Sequence, residues 1–433
     1  MNRKIIALTG TLVLSCVTVT LCAPYTQTAI SAVNSQKEFD KTFGGVTDAK
    51  ALNLAGHAFD NQNARLFWFT DLEAAKRQAK AEGKPILSLR LLGNLSDEYS
   101  CANSRFFRVL LYGNKQINPI LRDKFILHWS SERPVPVVTI DFGDGKKIKQ
   151  TLTGNSAHYL LDENGRPLDV LPGLYSPKAF ESWLTEGEKL VANWKAESGE
   201  SREQTLKKWH ETRISTIWSE QAGAGNNTKW VETQTQQSLK NNPFTLISPD
   251  TPQQVIPARI AAPLAISKRA GEAPMLNATN LFSTSSRVEY WIWGNPTKGD
   301  VELDEDTIER IKAMNPKLDQ ADKQKSEIVI NPLQLTQLQG KTNSTPKADP
   351  FDAMIQKFEQ NISIDTAANK FRMEIPIHAL FAKGEEGNFE SLNRKIYDTL
   401  FLTPKSDPYL GLGSDGVFTG LQNGGIIQTA PQQ

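Results

Sequence analysis

The chain has 433 residues, a hydrophobic fraction of 39% and a formal charge of +1. That length exceeds one ordinary core, so domains joined by polar linkers are expected, and the apolar content is too high for disorder throughout. Near-zero charge, with no basic block interleaved with aromatic residues, argues against nucleic acid or a membrane surface as an electrostatic partner.

The first element is an export signal. Arg3 and Lys4 precede a run of apolar or small residues from Ile5 to Ala23, and a polar Ser/Thr/Gln-rich stretch follows. Cleavage after Ala23 fits, and cleavage near Ser31 or Ala32 has the better small-x-small pattern. Residues 1–32 are therefore read as a signal peptide, and the mature chain as periplasmic or extracellular. An uncleaved anchor is the alternative, because Ile5 to Ala23 is nearly long enough to span a bilayer. A lipoprotein at Cys16 is a further alternative, after the poor lipobox Val13-Leu14-Ser15. No later segment is apolar enough to cross a membrane. Of the three cysteines, Cys16 and Cys22 lie inside the signal, so the mature chain keeps only Cys101 and no internal disulfide.

Residues 33–63 read as a polar, loosely packed lead-in. Thr70-Asp71-Leu72-Glu73 reads as a capping box opening a helix that ends at Gly83. Ile86 to Leu91 is a buried strand. Cys101 opens a helix carrying Phe106, Phe107, Leu110 and Leu111, which Gly113 ends. Asn118-Pro119 reads as the cap and first residue of a short helix. Phe125 to Trp129 is the next strand. Val137 to Phe142 and Lys146 to Leu152 flank Gly143-Asp144-Gly145 as a looped extension. Ala157 to Leu161 and Pro167 to Val170 form a hairpin around Asp162-Glu163-Asn164-Gly165. Ser176-Pro177 caps a helix with Phe180, Trp183, Leu184 and Leu190.

Residues 193–221 extend this as a helix with Leu206, Trp209, Ile214, Ile217 and Trp218. Residues 222–263 read as a Gly/Asn/Gln/Thr/Pro-rich linker. A second, mainly helical α+β region of unrecognised type spans 264–412. It includes a strand at Val288 to Trp293, a helix from Asp304 to Met314, a helix capped by Asp349-Pro350 and another from Phe389 to Leu402. Residues 413–433 read as a flexible tail.

The order helix, strand, helix, strand, hairpin and closing helix over residues 64–192 implies an α/β fold, a mixed sheet with helices on both faces. In that order, with a cysteine opening the helix after the first strand, a Gly154-Asn155-Ser156-Ala157 stretch and Gly173 before the last helix, this segment resembles the thioredoxin-like superfamily. The match covers less than a third of the chain. The resemblance implies a catalytic position at Cys101, with Ser104 where the family's resolving cysteine would stand. It also places Ser156 where a cis-proline normally shapes the substrate groove.

A cysteine at a helix N-terminus meets unpaired N–H groups and the positive dipole end, which stabilise thiolate, and Arg105 one turn on adds charge. Ser104 can donate to the sulfur, and His158 on the later strand is a candidate base or hydrogen-bond partner. Such a site can hold a mixed disulfide with a protein thiol or glutathione but cannot release it internally. The alternative for Cys101 is a small buried residue plugging a helix–strand contact, and for His158 an ordinary strand histidine. His57, His128, His210 and His378 are scattered without metal-ligand spacing, so no metal or cofactor is expected. Gly411 to Gly416 fits G-x-G-x-x-G, but too near the end for a dinucleotide unit. Ser344 to Lys347 matches S-x-x-K inside a polar stretch, and Tyr290, Trp291 and Trp293 read as core aromatics. Two readings stand: an exported protein acting on partner thiols through Cys101, or a non-enzymatic binding or scaffold protein on a redox-inactive thioredoxin fold. Nothing in the sequence speaks to oligomeric state.

Overall fold

The computed structural model describes residues 27–151, 154–222, 228–240, 303–314, 355, 358, 359, 362, 363, 365–367, 369–401 and 403–406. Residues 1–26 of the export signal, the strand at Val288 to Trp293, the Asp349-Pro350 cap, Ser344 to Lys347 and Gly411 to Gly416 lie outside them.

Four short helices come first: α1 (Gln27–Ser31), α2 (Gln36–Phe43), α3 (Ala49–Gly56) and α4 (Asn61–Ala64). Helix α1 falls within the residues read as signal peptide, and the other three correct the expectation of a loose lead-in over residues 33–63. Ser35 and Asp48 cap α2 and α3 by accepting the Glu38 and Ala51 N–H groups, and Phe39, Phe43 and Leu52 are buried. The apolar positions are few but fall on one helical face, which mixed composition conceals.

Helix α5 (Leu72–Glu82) ends at Gly83 in the left-handed region, as expected. Its cap is Asp71, which accepts the Ala74 N–H at 2.6 Å, and not Thr70. Phe69 makes a parallel bridge with His128, so the chain stays extended until Asp71. Strand β1 (Ile86–Leu92) follows and is buried along its whole length. Helix α6 (Ala102–Phe107) runs on through a π turn, Arg108–Tyr112, to Gly113. Helix α7 (Ile117–Lys124) starts earlier than expected. Asn114 Oδ1 accepts the Gln116 and Ile117 N–H groups, and Pro119 falls within the first turn, where its missing N–H costs nothing. Asn118 instead donates to the Ala64 and Tyr112 carbonyls.

Strands β2 (Ile126–Arg133), β5 (Ser156–Leu161) and β6 (Pro167–Pro172) complete a four-stranded sheet in the order β2-β1-β5-β6. Strands β1 and β2 are parallel, while β5 is antiparallel to both β1 and β6. Strands β3 (Val137–Asp141) and β4 (Lys147–Thr151) form a separate hairpin. Of five large apolar side chains exposed among the described residues, Val137, Ile140 and Phe142 belong to this hairpin segment.

Helix α8 (Pro177–Ala196), capped by Ser176, and α9 (Gly199–Ala222) come next, then α10 (Thr228–Lys240), which puts a helix inside the stretch read as linker. The C-terminal region is mainly helical among its described residues. It contains α11 (Glu305–Met314), a π turn at Lys370–Glu374, α12 (Ile375–Lys383), α13 (Phe389–Lys395) and a second π turn at Ile396–Leu400.

Strand alternation divides the sheet into two faces. His158 packs on Phe107 of α6 and Phe180 of α8, with ring centroids 4.6 Å and 4.9 Å away. Tyr159, on the other face, packs on Phe389 of α13 at 5.0 Å. Most buried apolar residues form one continuous cluster from Val33 to Phe401, and Ile214, Ile217, Ile375 and Ala379 form a second between α9 and α12. Among the described residues no helix is long and apolar enough to cross a membrane.

Candidate functional site

Cys101 stands where the loop from β1 enters α6. Its N–H donates to the Leu92 carbonyl at 3.1 Å, and its own carbonyl accepts the Arg105 N–H that begins the helix. Leu91 and Ser156 are direct partners in the sheet, so the end of β1 and the start of β5 lie side by side. This brings Ser156 Oγ to 3.1 Å from Cys101 Sγ. Both side chains are completely buried.

Ser104 has a different role from the one expected. Its Oγ lies 2.6 Å from Ser100 Oγ and 2.9 Å from the Cys101 carbonyl, and the hydroxyl beside the sulfur belongs to Ser156. Arg105 donates to Thr151 Oγ1 at 3.0 Å. The nearby Arg108 guanidinium is buried and braces the loop, donating to the carbonyls of Leu95, Asp97 and Glu98. Burial pulls its pKa down to about 10, with Asp60 opposing the shift.

His158 shares the Ser156 face of β5 and sits in an aromatic box. Burial raises the Tyr112 phenol well above its ordinary range, so it keeps its proton, and its OH is hydrogen-bonded to His158 Nε2 at 2.8 Å. Burial pulls His158 down to about 3, so the ring is neutral and its Nδ1 has no partner. A histidine of this kind, with Nε2 occupied and no solvent access, is poorly placed to accept a proton at neutral pH.

The C-terminal region closes over this end of the sheet. Asn155 Nδ2 donates to Thr403 Oγ1 at 3.0 Å, and Tyr397 OH donates to the Asn155 carbonyl at 3.3 Å. On the α13 face, Tyr159 OH donates to Asn393 Oδ1 at 2.9 Å. Glu132 accepts from Asn393 Nδ2 at 2.7 Å and pairs with Lys405 at 3.1 Å, while Arg90 bonds to Glu390. The loop before β5 is therefore held from above by residues more than two hundred positions away.

A second cluster of chemistry-bearing side chains was not visible as a spacing. Asp169 of β6, His210 of α9 and His378 of α12 bring three donor atoms within 4.8 Å of one another, all buried. Two sequence signals point toward it. His210 continues the buried stripe Leu206, Ile214 and Ile217, and Glu374 and His378 are four residues apart on one helical face. An open cleft of about 700 Å³ between α7 and α11, lined by Lys115, Asp306 and Arg310 among others, includes none of the residues named for either cluster. No family model, curated protein or solved structure matches the chain.

Proposed function

We propose that this chain is an exported, non-enzymatic binding or scaffold protein built on a thioredoxin-like unit, with its one-cysteine site closed by its own C-terminal region. The thioredoxin-like reading is supported by the order strand, helix, parallel strand, antiparallel hairpin and closing helix, with Cys101 opening the helix after the first strand. The observation that carries the non-enzymatic reading is the state of Cys101. Its thiol has no exposure, faces Ser156 Oγ, and lies beside a loop held by Tyr397 and Thr403. In the resembling family that loop shapes the substrate groove, and a partner thiol needs a free approach to sulfur there. The apolar side chains on the β3–β4 hairpin agree with a binding role. Fold alone does not decide activity.

The test is thiol labelling of the full chain, with Cys101→Ser as the blank. Cys101 is expected to resist iodoacetamide in the native state and to react fully in denaturant. Labelling of native Cys101 within minutes at neutral pH, or reduction of insulin disulfides that Cys101→Ser abolishes, would replace this reading with thiol exchange on partner proteins. Export rests on Arg3, Lys4 and the run from Ile5 to Ala23. N-terminal sequencing of the protein from the producing cell is expected to begin between residues 24 and 33, and an intact Met1 in the cytosolic fraction would refute export.

A further inference from the structure

The outer edge of β6 is covered by helices, and three elements distant in sequence converge there. Asp169, His210 and His378 are 4%, 0% and 1% exposed. The proton positions follow from the partners. A carbonyl only accepts, so His210 Nε2, 2.9 Å from the Leu168 carbonyl, carries the hydrogen. In the neutral ring, His210 Nδ1 is then a lone pair, and it lies 2.9 Å from His378 Nδ1. Asp169 Oδ1 is a further lone-pair donor 3.7 Å from the same His378 nitrogen. On the far side of that ring, Nε2 has no hydrogen-bond partner and stands 3.7 Å from Glu374 Oε2. Two carboxylates and two imidazoles thus meet in a buried space, where His378 Nδ1–H donates to the His210 Nδ1 lone pair, and moving that one hydrogen to Nε2 turns three donor atoms toward one another.

We propose that Asp169, His210 and His378 bind a divalent d-block cation of the Zn2+ class, which ties α9 and α12 to the edge of the sheet. Ligand atoms around tetrahedral Zn2+ are about 3.3 Å apart, given metal–nitrogen distances of about 2.0–2.1 Å. Two of the three separations, 2.9 Å and 3.7 Å, lie on either side of that value, and the third, between His210 and Asp169, is within 4.8 Å. The outer partners also match what metal-bound histidines require. His210 Nε2–H is held by the Leu168 carbonyl. With His378 ligating through Nδ1, its Nε2 carries the hydrogen and faces Glu374 Oε2 at 3.7 Å, a gap that ligation would have to close. Trp183 Nε1–H fixes the other Asp169 oxygen at 2.9 Å. Asp169 and Glu374 supply two carboxylates to this space, with Arg213 as a nearby positive charge, and imidazole donors favour a d-block ion over Ca2+ or Mg2+. Three protein ligands leave a fourth position for water. Metal binding at this edge is independent of the state of Cys101.

The test uses the full chain, unfolded with chelator and refolded with one equivalent of Zn2+ or Co2+. Refolded protein is expected to retain one equivalent through gel filtration, to unfold at higher temperature than the metal-free sample, and to show the visible absorption of low-coordinate Co2+. Asp169→Asn and His378→Gln are expected to lose that equivalent, and Glu374→Gln to weaken binding about 10–100-fold. Native-like refolded protein that takes up neither ion overturns the proposal, as does equal affinity in wild type and Glu374→Gln. The Glu374 variant removes no ligand, so it decides the matter even where a ligand variant fails to refold.

Discussion

Acidification from pH 7 to pH 5 is expected to remove about 4 kcal/mol of stability through His158 and His128 alone. Burial pulls both down to about 3; for His128 the nearby Arg90 adds to the shift and Asp71 opposes it. The ordinary value near 6.5 applies to the unfolded chain, so below it the unfolded state takes up protons that the native state refuses. Stability from these two groups is therefore complete above about pH 6.5 and falls as pH drops toward 3. At pH 5 the loss is about 2 kcal/mol for each ring. The assay is urea unfolding followed by tryptophan fluorescence at pH 7, 6 and 5, on wild type and on a His128→Asn/His158→Gln double variant. Asn keeps a partner for Ser88 Oγ, which lies 2.8 Å from His128 Nδ1, and Gln keeps an acceptor for Tyr112 OH. The double variant is less stable at pH 7 but its pH dependence is expected to be flatter by the stated amount. Parallel curves for the two proteins would refute the claim that these histidines are held neutral.

Three further outcomes are expected. Tyr159→Phe strips Asn393 of its donor at a buried position and is expected to cost about 1–3 kcal/mol in urea unfolding, with faster proteolysis in the C-terminal region. Gly173 has φ of +91°, and a Cβ there would come 2.4 Å from Asn369 Nδ2, so Gly173→Ala is expected to lower the unfolding midpoint clearly, by about 1–3 kcal/mol in stability. Phe142 is 57% exposed, and Phe142→Ser is expected to change stability by no more than about 0.5 kcal/mol, as read by thermal unfolding.

Local chemistry accounts for what the sequence revealed. The leucine-rich run from Ile86 to Leu91, the Asp162-Glu163-Asn164-Gly165 turn and the Ser176-Pro177 cap are decided within a few residues, and each appears where its pattern places it. Sequence and structure differ where two adjacent residues compete for one role. Asp71 caps α5 in place of Thr70 because the strand-like bridge at Phe69 extends the chain by one step. The candidate site was legible only in part. Cys101 at the start of a helix follows from its neighbours, but the loop beside it is held by Tyr397 and Thr403, and no local pattern carries that information. The Asp169–His210–His378 cluster has one member on each of three elements, so its geometry exists only after the C-terminal region has docked.

That docking has a consequence for synthesis. Tyr159 meets Asn393 across 234 residues and Arg90 meets Glu390 across 300. At the usual pace of translation, the strands would emerge on the order of 10–50 s before the helix that covers their second face. During that interval the nascent chain presents Arg90, Glu132 and Tyr159 without their final partners, and β6 without α12 beside it. Covering of the sheet's second face is therefore a late event, set by the arrival of the last quarter of the chain.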